Sequence, residues 1–325
     1  MSGRTQPGGG PFAPGDRVQL TDPKGRPHSI TLQPGQRYFT HKGSLDHDEL
    51  IGSAEGSVIT TTGGVAYVAL RPLLEDFVLA MPRGAAVIYP KDAAQILTYA
   101  DVFPGARVLE AGAGSGALSC FLLRALTESG QLISVERRED FAAVAARNVG
   151  HFFGGEHPAW QLIVGDLVEL IGAGGIEPVD RVVLDMLAPW ECVSAVAQVL
   201  RPGGVVLAYV ATTTQLSRTV EALREHGGFT EPRPWESTVR TWHVEGLAVR
   251  PDHRMIGHTG FLLTARRLAP GVTAPPRRRR PTSTTEPTST TEAAASATES
   301  AAPGTQRDTT IPSGPATEPA KVTAG

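Results

Sequence analysis

The run from Val108 to Leu118, Val-Leu-Glu-Ala-Gly-Ala-Gly-Ser-Gly-Ala-Leu, constrains the fold of this chain more than any other stretch. Its apolar start reads as a buried strand. Gly112, Gly114 and Gly116 then let the backbone turn tightly and leave no side chain between it and a ligand. The segment that follows, Leu118 to Leu126, has the apolar content of a helix packed on a sheet, so backbone N–H groups at its start would face a bound molecule. Two classes of nucleotide-like cofactor use such a turn, and spacing alone does not separate them. Gly112, Gly114 and Ala117 also satisfy the dinucleotide pattern G-x-G-x-x-G/A.

Composition divides the chain. Residues 270–325 are almost entirely Pro, Thr, Ser, Ala and Gly with scattered charge and no aromatic residue, a mixture that cannot bury enough apolar area to offset ordering entropy. Residues 270–325 and 1–11 are therefore expected to be disordered. The remainder is long enough for a substantial core and two domains. With 30 Lys and Arg against 33 Asp and Glu the chain is not basic overall, so a nucleic-acid partner would have to meet a local patch. Cys120 and Cys192 make neither a disulfide framework nor a metal cluster, and both sit in apolar surroundings that suit small core residues. No signal-peptide core and no run of eighteen apolar residues is present. A reduced, cytoplasmic, soluble protein with no membrane segment and no metal is expected.

Residues 12–75 read as a small β-rich domain. Arg17 to Leu20, Ser29 to Leu32 and Arg37 to Thr40 alternate like strands and are separated by Asp22-Pro23-Lys24-Gly25 and Gln33-Pro34-Gly35-Gln36, both with turn chemistry. Ser57 to Thr62 and Val65 to Leu70 flank Gly63-Gly64 as a hairpin. The stretch Thr40-His41-Lys42-Gly43 reads as a loop able to touch phosphate or simply to be solvated. Leu73 to Ala80 suits a short helix. In Val87-Ile88-Tyr89-Pro90-Lys91-Asp92 the proline keeps Tyr89 extended at the mouth of a new helix. There its ring could stack on a base or be an ordinary partly buried aromatic.

Residues 76–269 then alternate helix and strand, the signature of a parallel sheet covered on both faces. Gln131 to Val135 is a second strand ending at Glu136, an acid placed to accept bonds from ribose hydroxyls in either cofactor class. Phe141 to Val149 is a helix. After the strand Trp160 to Val164, Asp166 could meet an adenine amino group or cap the next helix, while Leu167 and Phe141 offer apolar surface to the ring. The strand Asp180 to Leu184 ends in Asp185-Met186-Leu187-Ala188-Pro189-Trp190, an acid, an exposed methionine and a tryptophan at the sheet edge where ligands bind. A helix over Glu191 to Leu200, the turn Arg201-Pro202-Gly203-Gly204 and the strand Val205 to Tyr209 follow. Thr212 to Gln215 open a helix with polar groups facing the same cleft. Trp235 to Val249 alternates like one antiparallel strand, and Phe261 to Ala265 is another.

Glu110 ahead of the first glycine gives E-x-G-x-G-x-G, which resembles motif I of the S-adenosylmethionine-dependent methyltransferases. The Arg-Pro-Gly-Gly turn before an apolar strand and the antiparallel end of the chain fit that class better than a dinucleotide oxidoreductase. Taken with Tyr89-Pro90-Lys91-Asp92, the D-x-x-x-P-W run from Asp185 to Trp190, Gln215 and Gly257-His258-Thr259, the chain from about Phe12 to Pro270 resembles the tRNA (adenine-58-N1)-methyltransferases, most closely the actinobacterial members.

The resemblance implies a class I methyltransferase domain, Rossmann-like, with a seven-stranded sheet whose last strand is antiparallel, preceded by a small N-terminal β domain. It implies S-adenosylmethionine as cofactor, tRNA as substrate and a homotetramer. Glu110, Gly112, Gly114, Ser115, Gly116, Ala117 and Leu118 would line the cofactor. Glu136 would hold its ribose, Asp166 and Leu167 its adenine, and Asp185 its ammonium. Phe141 stands where related sequences can carry a His. Gly260 replaces a common Ala, a change expected to be without functional consequence. Asp185 and Tyr89 are the expected catalytic residues, with Tyr89, Trp190, Gln215 and His258 meeting the substrate adenine after its extrusion from the T-loop. A methyltransferase acting on another RNA site is the neighbouring alternative.

Overall fold

The computed structural model describes residues 10–275, so the expectations for 1–9 and 276–325, including the Arg277 to Arg280 run, fall outside the described residues. The chain opens with strands β1 (Arg17–Thr21), β2 (Pro27–Thr31), β3 (Arg37–Thr40) and β4 (Gly43–Asp46), the single turn α1 (His47–Leu50), and strands β5 (Val58–Thr60) and β6 (Ala66–Leu70). Four of them form an antiparallel sheet in the order β2-β1-β6-β5, and β3 pairs with β4 in a separate hairpin. Thr40 to Gly43, expected as a loop, is the tight connection of that hairpin, with Thr40 and Gly43 in register.

Alternation decides which side chains go inside. Val18 and Leu20 of β1, Ile59 of β5, and Tyr67 and Ala69 of β6 point one way and bury against Phe12, Leu32, Leu45 and Leu50. Just beyond β6, Arg71 is buried within this part of the chain. Its guanidinium donates to Asp16 (2.6 Å) and to Glu55 (3.0 Å) and covers the ring of Phe12.

The larger sheet begins after helices α2 (Leu74–Ala80) and α3 (Pro90–Tyr99). Strand β7 (Arg107–Ala111) runs into α4 (Ala117–Leu126), β8 (Gln131–Glu136) into α5 (Glu139–Phe153), β9 (Trp160–Val164) into α6 (Leu167–Gly172), and β10 (Val179–Asp185) into a 3-10 turn (Pro189–Cys192) and α7 (Val193–Val199). Strand β11 (Leu200–Val210), α8 (Thr213–His226), β12 (Arg233–Trp235), β13 (Trp242–Glu245), β14 (Ala248–Pro251) and β15 (Phe261–Arg266) complete the order. Seven strands form one sheet, β12-β15-β11-β10-β7-β8-β9, in which β15 runs antiparallel to both of its neighbours.

Because helices cover both faces, the central strands are apolar on both sides rather than alternating. Val108, Leu132, Val183, Leu207 and Leu262 pack under α2 to α5. Their chain neighbours Leu109, Ile133, Val182, Val206 and Leu263 pack under α6 to α8. Phe77 of α2 lies against Phe152 of α5, with ring centres 5.0 Å apart, and Arg17 of β1 reaches over the same Phe77, which joins the first sheet to the helices of the second.

Two expectations are corrected. Trp235 to Val249 is not one strand: β12 stops at Trp235, and the alternating residues beyond it belong to the separate hairpin β13–β14, which turns at Gly246-Leu247. Gly246, with φ of 55°, permits that tight turn, and periodicity alone does not reveal it. The helix expected over Glu191 to Leu200 starts as a 3-10 turn and becomes α-helical only at Val193.

Removing the Arg71 side chain takes the cation away from the buried Asp16 carboxylate. Arg71→Met is expected to destabilise the chain by about 3–5 kcal/mol, read as a lower urea midpoint by circular dichroism, because an unpaired buried charge costs more than the pair returned.

Candidate active site

The strand order places a topological switch between β7 and β10: from β7 the chain steps outward through β8 and β9, and then returns to β10 on the other side. A crevice opens at the carboxyl ends of such a pair. Ala111 and Leu184 are the last paired residues of the two strands, and the next two, Gly112 and Asp185, face one another across the gap. A Cβ on Gly112 would lie 1.8 Å from the Asp185 carbonyl oxygen, and Gly112 has φ of 93°, so only glycine fits.

The other two glycines of the turn have different reasons. Gly116 abuts Ala145 of α5, where a Cβ would come within 3.1 Å of backbone. A Cβ on Gly114 would make only ordinary contact, 3.6 Å from Ala85, and the reason for glycine there is its φ of 54°. Its N–H donates to Glu136 (2.8 Å), whose other carboxylate oxygen accepts from the Arg138 N–H (3.1 Å). Gly114 and Glu136 therefore form a cradle at the crevice, beside the start of α4, where the first N–H groups have no intrahelical partner. Ala117 and Leu118 are buried in that first helical turn and present backbone rather than side chain.

Two expected ligand-lining side chains are engaged elsewhere. Glu110 is fully buried beneath the turn, accepting from the hydroxyls of Ser119 (2.7 Å) and Ser134 (2.5 Å), while its second oxygen has no partner among the described residues. Desolvation pushes it up to about 7, with Asp185 and Glu136 adding to the shift. Ser115 uses its hydroxyl oxygen to accept from the N–H groups of Gly84 (3.1 Å) and Ala85 (3.2 Å). It thereby ties the segment before α3 to the glycine turn. Phe141 packs on Gly84 and lies under the Arg138 guanidinium, 3.7 Å from its ring centre. Asp166 caps α6 through one oxygen, accepting from Val168 and Glu169, and its other oxygen pairs with Arg137 at 2.9 Å. Leu167 is buried in the core under α6.

Across the crevice, Asp185 accepts no hydrogen bond from the described residues. Burial pushes its carboxyl up to about 7, with the nearby Glu136 charge as the second cause. Of the side chains after it, Met186 packs inward and Trp190 is half-buried, so the methionine and tryptophan expected to be exposed are not; Leu187, at 83% exposure, is. Gln215, expected to face the cleft freely, closes the capping box of α8. Its oxygen accepts from the N–H groups of Ala211 and Thr212, and its amide donates to the Leu187 carbonyl (2.9 Å).

Tyr89 is the extended residue that precedes α3, with Pro90 at the first helical position, as the sequence indicates. The residues after it explain why this motif and Gly257-His258-Thr259 occur in one chain. The Lys91 ammonium donates to Asp92 (2.6 Å), the Thr259 hydroxyl (2.7 Å) and the Ser237 carbonyl (2.8 Å). The Thr259 hydroxyl donates to the other oxygen of the fully buried Asp92 (2.6 Å). The Tyr209 hydroxyl donates to the Thr259 carbonyl (2.8 Å). Burial and the Asp92 charge push the Tyr209 hydroxyl up to about 12, so it remains a donor. Tyr209 was not singled out from the sequence, where it reads only as the end of an apolar strand. His258 is exposed, its ring nitrogens 3.1 Å from a Glu236 carboxylate oxygen and 3.3 Å from the Ala211 carbonyl.

Gly260, expected to be without functional consequence, has a packing reason in this arrangement. A Cβ there would lie 2.4 Å from the Tyr209 ring. Gly260→Ala is expected to cost about 1–3 kcal/mol of stability. Tyr209→Leu in the same chain should recover most of that loss, measured as the melting temperatures of the four proteins in the double-mutant cycle.

Comparison with known proteins adds the following. The model described as the tRNA methyltransferase complex GCD14 subunit matches residues 64–249, and one described as TrmI-like N-terminal matches residues 10–59. The chain is 38% identical over 248 residues to the tRNA (adenine(58)-N(1))-methyltransferase TrmI of Thermus thermophilus, spanning 76% of this chain and 95% of that protein. It is 30% identical to the Methanocaldococcus jannaschii enzyme named for adenines 57 and 58, over 76% and 93%. Among solved structures, a SAM-dependent O-methyltransferase from Thermotoga maritima superposes with a TM-score of 0.75 at 29% identity, covering 83% of this chain and 96% of that one. The tRNA (m1A58) methyltransferase TrmI of Aquifex aeolicus gives 0.69 at 27%, covering 80% and 99%.

Proposed function

The chain belongs to the family of the tRNA (adenine-58-N1)-methyltransferases, and on that premise we propose that it methylates N1 of adenine 58 in the T-loop of tRNA, with the work divided among the residues of the β7–β10 crevice as follows. The observation that carries this reading is Asp185, a carboxyl at the switch point with no hydrogen-bond donor among the described residues and a titration pushed up to about 7.

S-adenosylmethionine supplies, when bound, a methyl group on a positively charged sulfur. The crevice fits such a molecule: Gly114 leaves its backbone bare, Glu136 is a carboxylate beside it, and the free N–H groups of α4 lie at its edge. Gly114 and Glu136 hold the ribose end in this reading. Phe141, Asp166 and Leu167 border the adenine side. Glu110 supports the turn from beneath and keeps negative potential behind it. Ser115 fixes the segment of Gly84 and Ala85 against the same turn.

The N1 nitrogen of adenine is a neutral lone-pair nucleophile, so attack needs no base and positioning dominates. Tyr89 borders the extruded base, and Leu187 and Trp190 border its entry. Asp185 accepts from the adenine amino group, which fixes the ring edge. As N1 takes the methyl group the ring becomes cationic, and the Asp185 carboxylate stabilises that charge inside a poorly solvated site.

Residues 12–75 act as a module with its own core, next to a catalytic module over 76–269. A homotetramer is supported by the β13–β14 hairpin, which exposes Trp242, Val244, Leu247 and Val249. Such a surface suits a second copy of the chain. No helix among the described residues is long and apolar enough to cross a membrane, and cytoplasmic tRNA is the natural substrate pool for this reading.

With the purified full-length chain and labelled S-adenosylmethionine, unmodified tRNA is expected to accept label. The same tRNA with guanine at position 58 should not, because guanine N1 carries a proton in place of the lone pair. Equal labelling of both would overturn the reading. In single turnover with saturating cofactor, Asp185→Ala should slow transfer by about a hundredfold or more.

Charge linkage gives a second test. Glu110 and Asp185 have ordinary values of 4.5 and 3.8 and are both pushed up to about 7, so the native chain holds protons that the unfolded chain releases. Stability should therefore fall as pH rises from about 4 to about 7. A cationic ligand in the crevice lowers both values, so S-adenosylmethionine binding near pH 7 should release protons, measured calorimetrically in buffers of different ionisation enthalpy. Asp185→Asn should reduce that release.

A further inference from the structure

The 3-10 turn at the substrate edge carries a second device, and it involves a residue that neither the sequence motifs nor the mechanism uses. Arg218 of α8 lies over the ring of Trp190, its guanidinium carbon 3.9 Å from the ring centre. Arg218 is exposed, and among the described residues it donates no hydrogen bond and forms no ion pair. Neighbouring arginines differ: Arg224 on the same helix pairs with Glu221 and Glu231, and Arg137 pairs with Asp166.

Trp190 is an unusual choice for filling space here. Its indole N–H is buried without a partner among the described residues, a cost that a phenylalanine would avoid. What indole supplies instead is the most favourable ring face for a cation, and Arg218 occupies that face. A flexible side chain held over a ring loses less freedom when it later forms hydrogen bonds. The platform is itself fixed to α8 a second time, through the Gln215 amide and the Leu187 carbonyl.

We infer that Arg218, held on Trp190, is a phosphate-binding residue for the RNA strand that delivers the target base. Trp190 is its positioning residue. Trp190 is five residues along the chain from Asp185, so the two lie within about 17 Å of one another even if the connecting segment were fully extended. A nucleotide whose base is drawn into the crevice brings its backbone phosphates past the rim, and a fork of unengaged N–H donors there matches a phosphate oxygen pair. The overall charge of the chain is −3, which gives the polyanion no general attraction, so individual cations at the rim carry a large share of the contact. This inference rests on the tRNA reading of the site.

The test is the salt dependence of tRNA binding, measured by fluorescence anisotropy with the full-length chain, unmodified tRNA and saturating S-adenosylmethionine. Each phosphate contact contributes about 0.7–0.9 to the slope of log affinity against log salt. Arg218→Gln should lower the slope magnitude by about that amount. The wild type should then lose roughly 2.5- to 3.5-fold more affinity than the variant between about 50 and about 200 mM salt. Arg218→Lys should keep the slope and weaken binding less. Trp190→Leu, which leaves the charge but removes its platform, should weaken binding with a slope close to that of the wild type. An Arg218→Gln slope equal to the wild-type slope, with normal melting temperature, would overturn the inference even if affinity fell, because a packing role changes affinity without releasing fewer ions. Wild-type chain that neither binds nor methylates tRNA would instead overturn the substrate reading itself.

Discussion

The contact between Gly112 and the Asp185 carbonyl is the constraint on which the rest of the site depends. At 1.8 Å from a would-be Cβ, the ends of β7 and β10 come closer than any side chain allows. Because β7 leads to the glycine turn and β10 to Asp185, this approach puts the turn's backbone and the Asp185 carboxyl, which accepts no hydrogen bond from the described residues, on two walls of one crevice. A wider separation would leave two half-sites. The approach also concentrates three carboxyl groups, Glu110, Glu136 and Asp185, in a poorly solvated region, and two of them titrate near neutrality as a result. Such a cluster is unfavourable by itself and is complementary to a cationic ligand.

The far wall is set by a different interaction. Lys91 and Asp92, at the start of α3, are tied to Thr259 and Ser237, and Thr259 is tied to Tyr209. Residues separated by nearly 170 positions in sequence are thereby held within hydrogen-bond distance. Asp92 is fully buried, and its two oxygens accept from Lys91, Ser237 and Thr259, which offsets the cost of burying a polar group. Tyr89, immediately before this knot, inherits its position from it. Gly260, which looks incidental in the sequence, is what lets the Tyr209 ring pass.

The parts of this arrangement that were readable in the sequence are those with local signatures. The glycine turn, the Pro90 helix start, the acids ending β8 and β10 and the apolar strands declare themselves through backbone chemistry or two-sided burial. Some expected site residues are engaged elsewhere, Ser115 by the segment before α3 and Gln215 within a capping box whose Thr-x-x-Gln spacing is itself a local signature. Trp190, expected to meet the substrate adenine, carries the Arg218 guanidinium over its ring, from twenty-eight positions on. The β13–β14 hairpin was merged with β12 because alternation is the same in a sheet strand and in a free hairpin. The break over residues 236–241 separates β12 from the hairpin, and the turn at Gly246 divides the hairpin itself.

The central claim is that the crevice presents one edge of adenine, with Asp185 on the amino group and N1 toward the transferred methyl group. Nucleotide mapping by mass spectrometry of tRNA modified by the full-length chain tests this most directly, because it distinguishes the nitrogens of a single base. The account predicts N1-methyladenosine at position 58, whose methyl group remains on N1 under conditions that prevent rearrangement. Methyl found on the exocyclic nitrogen of that adenine, or on a nucleotide outside the T-loop, would contradict it.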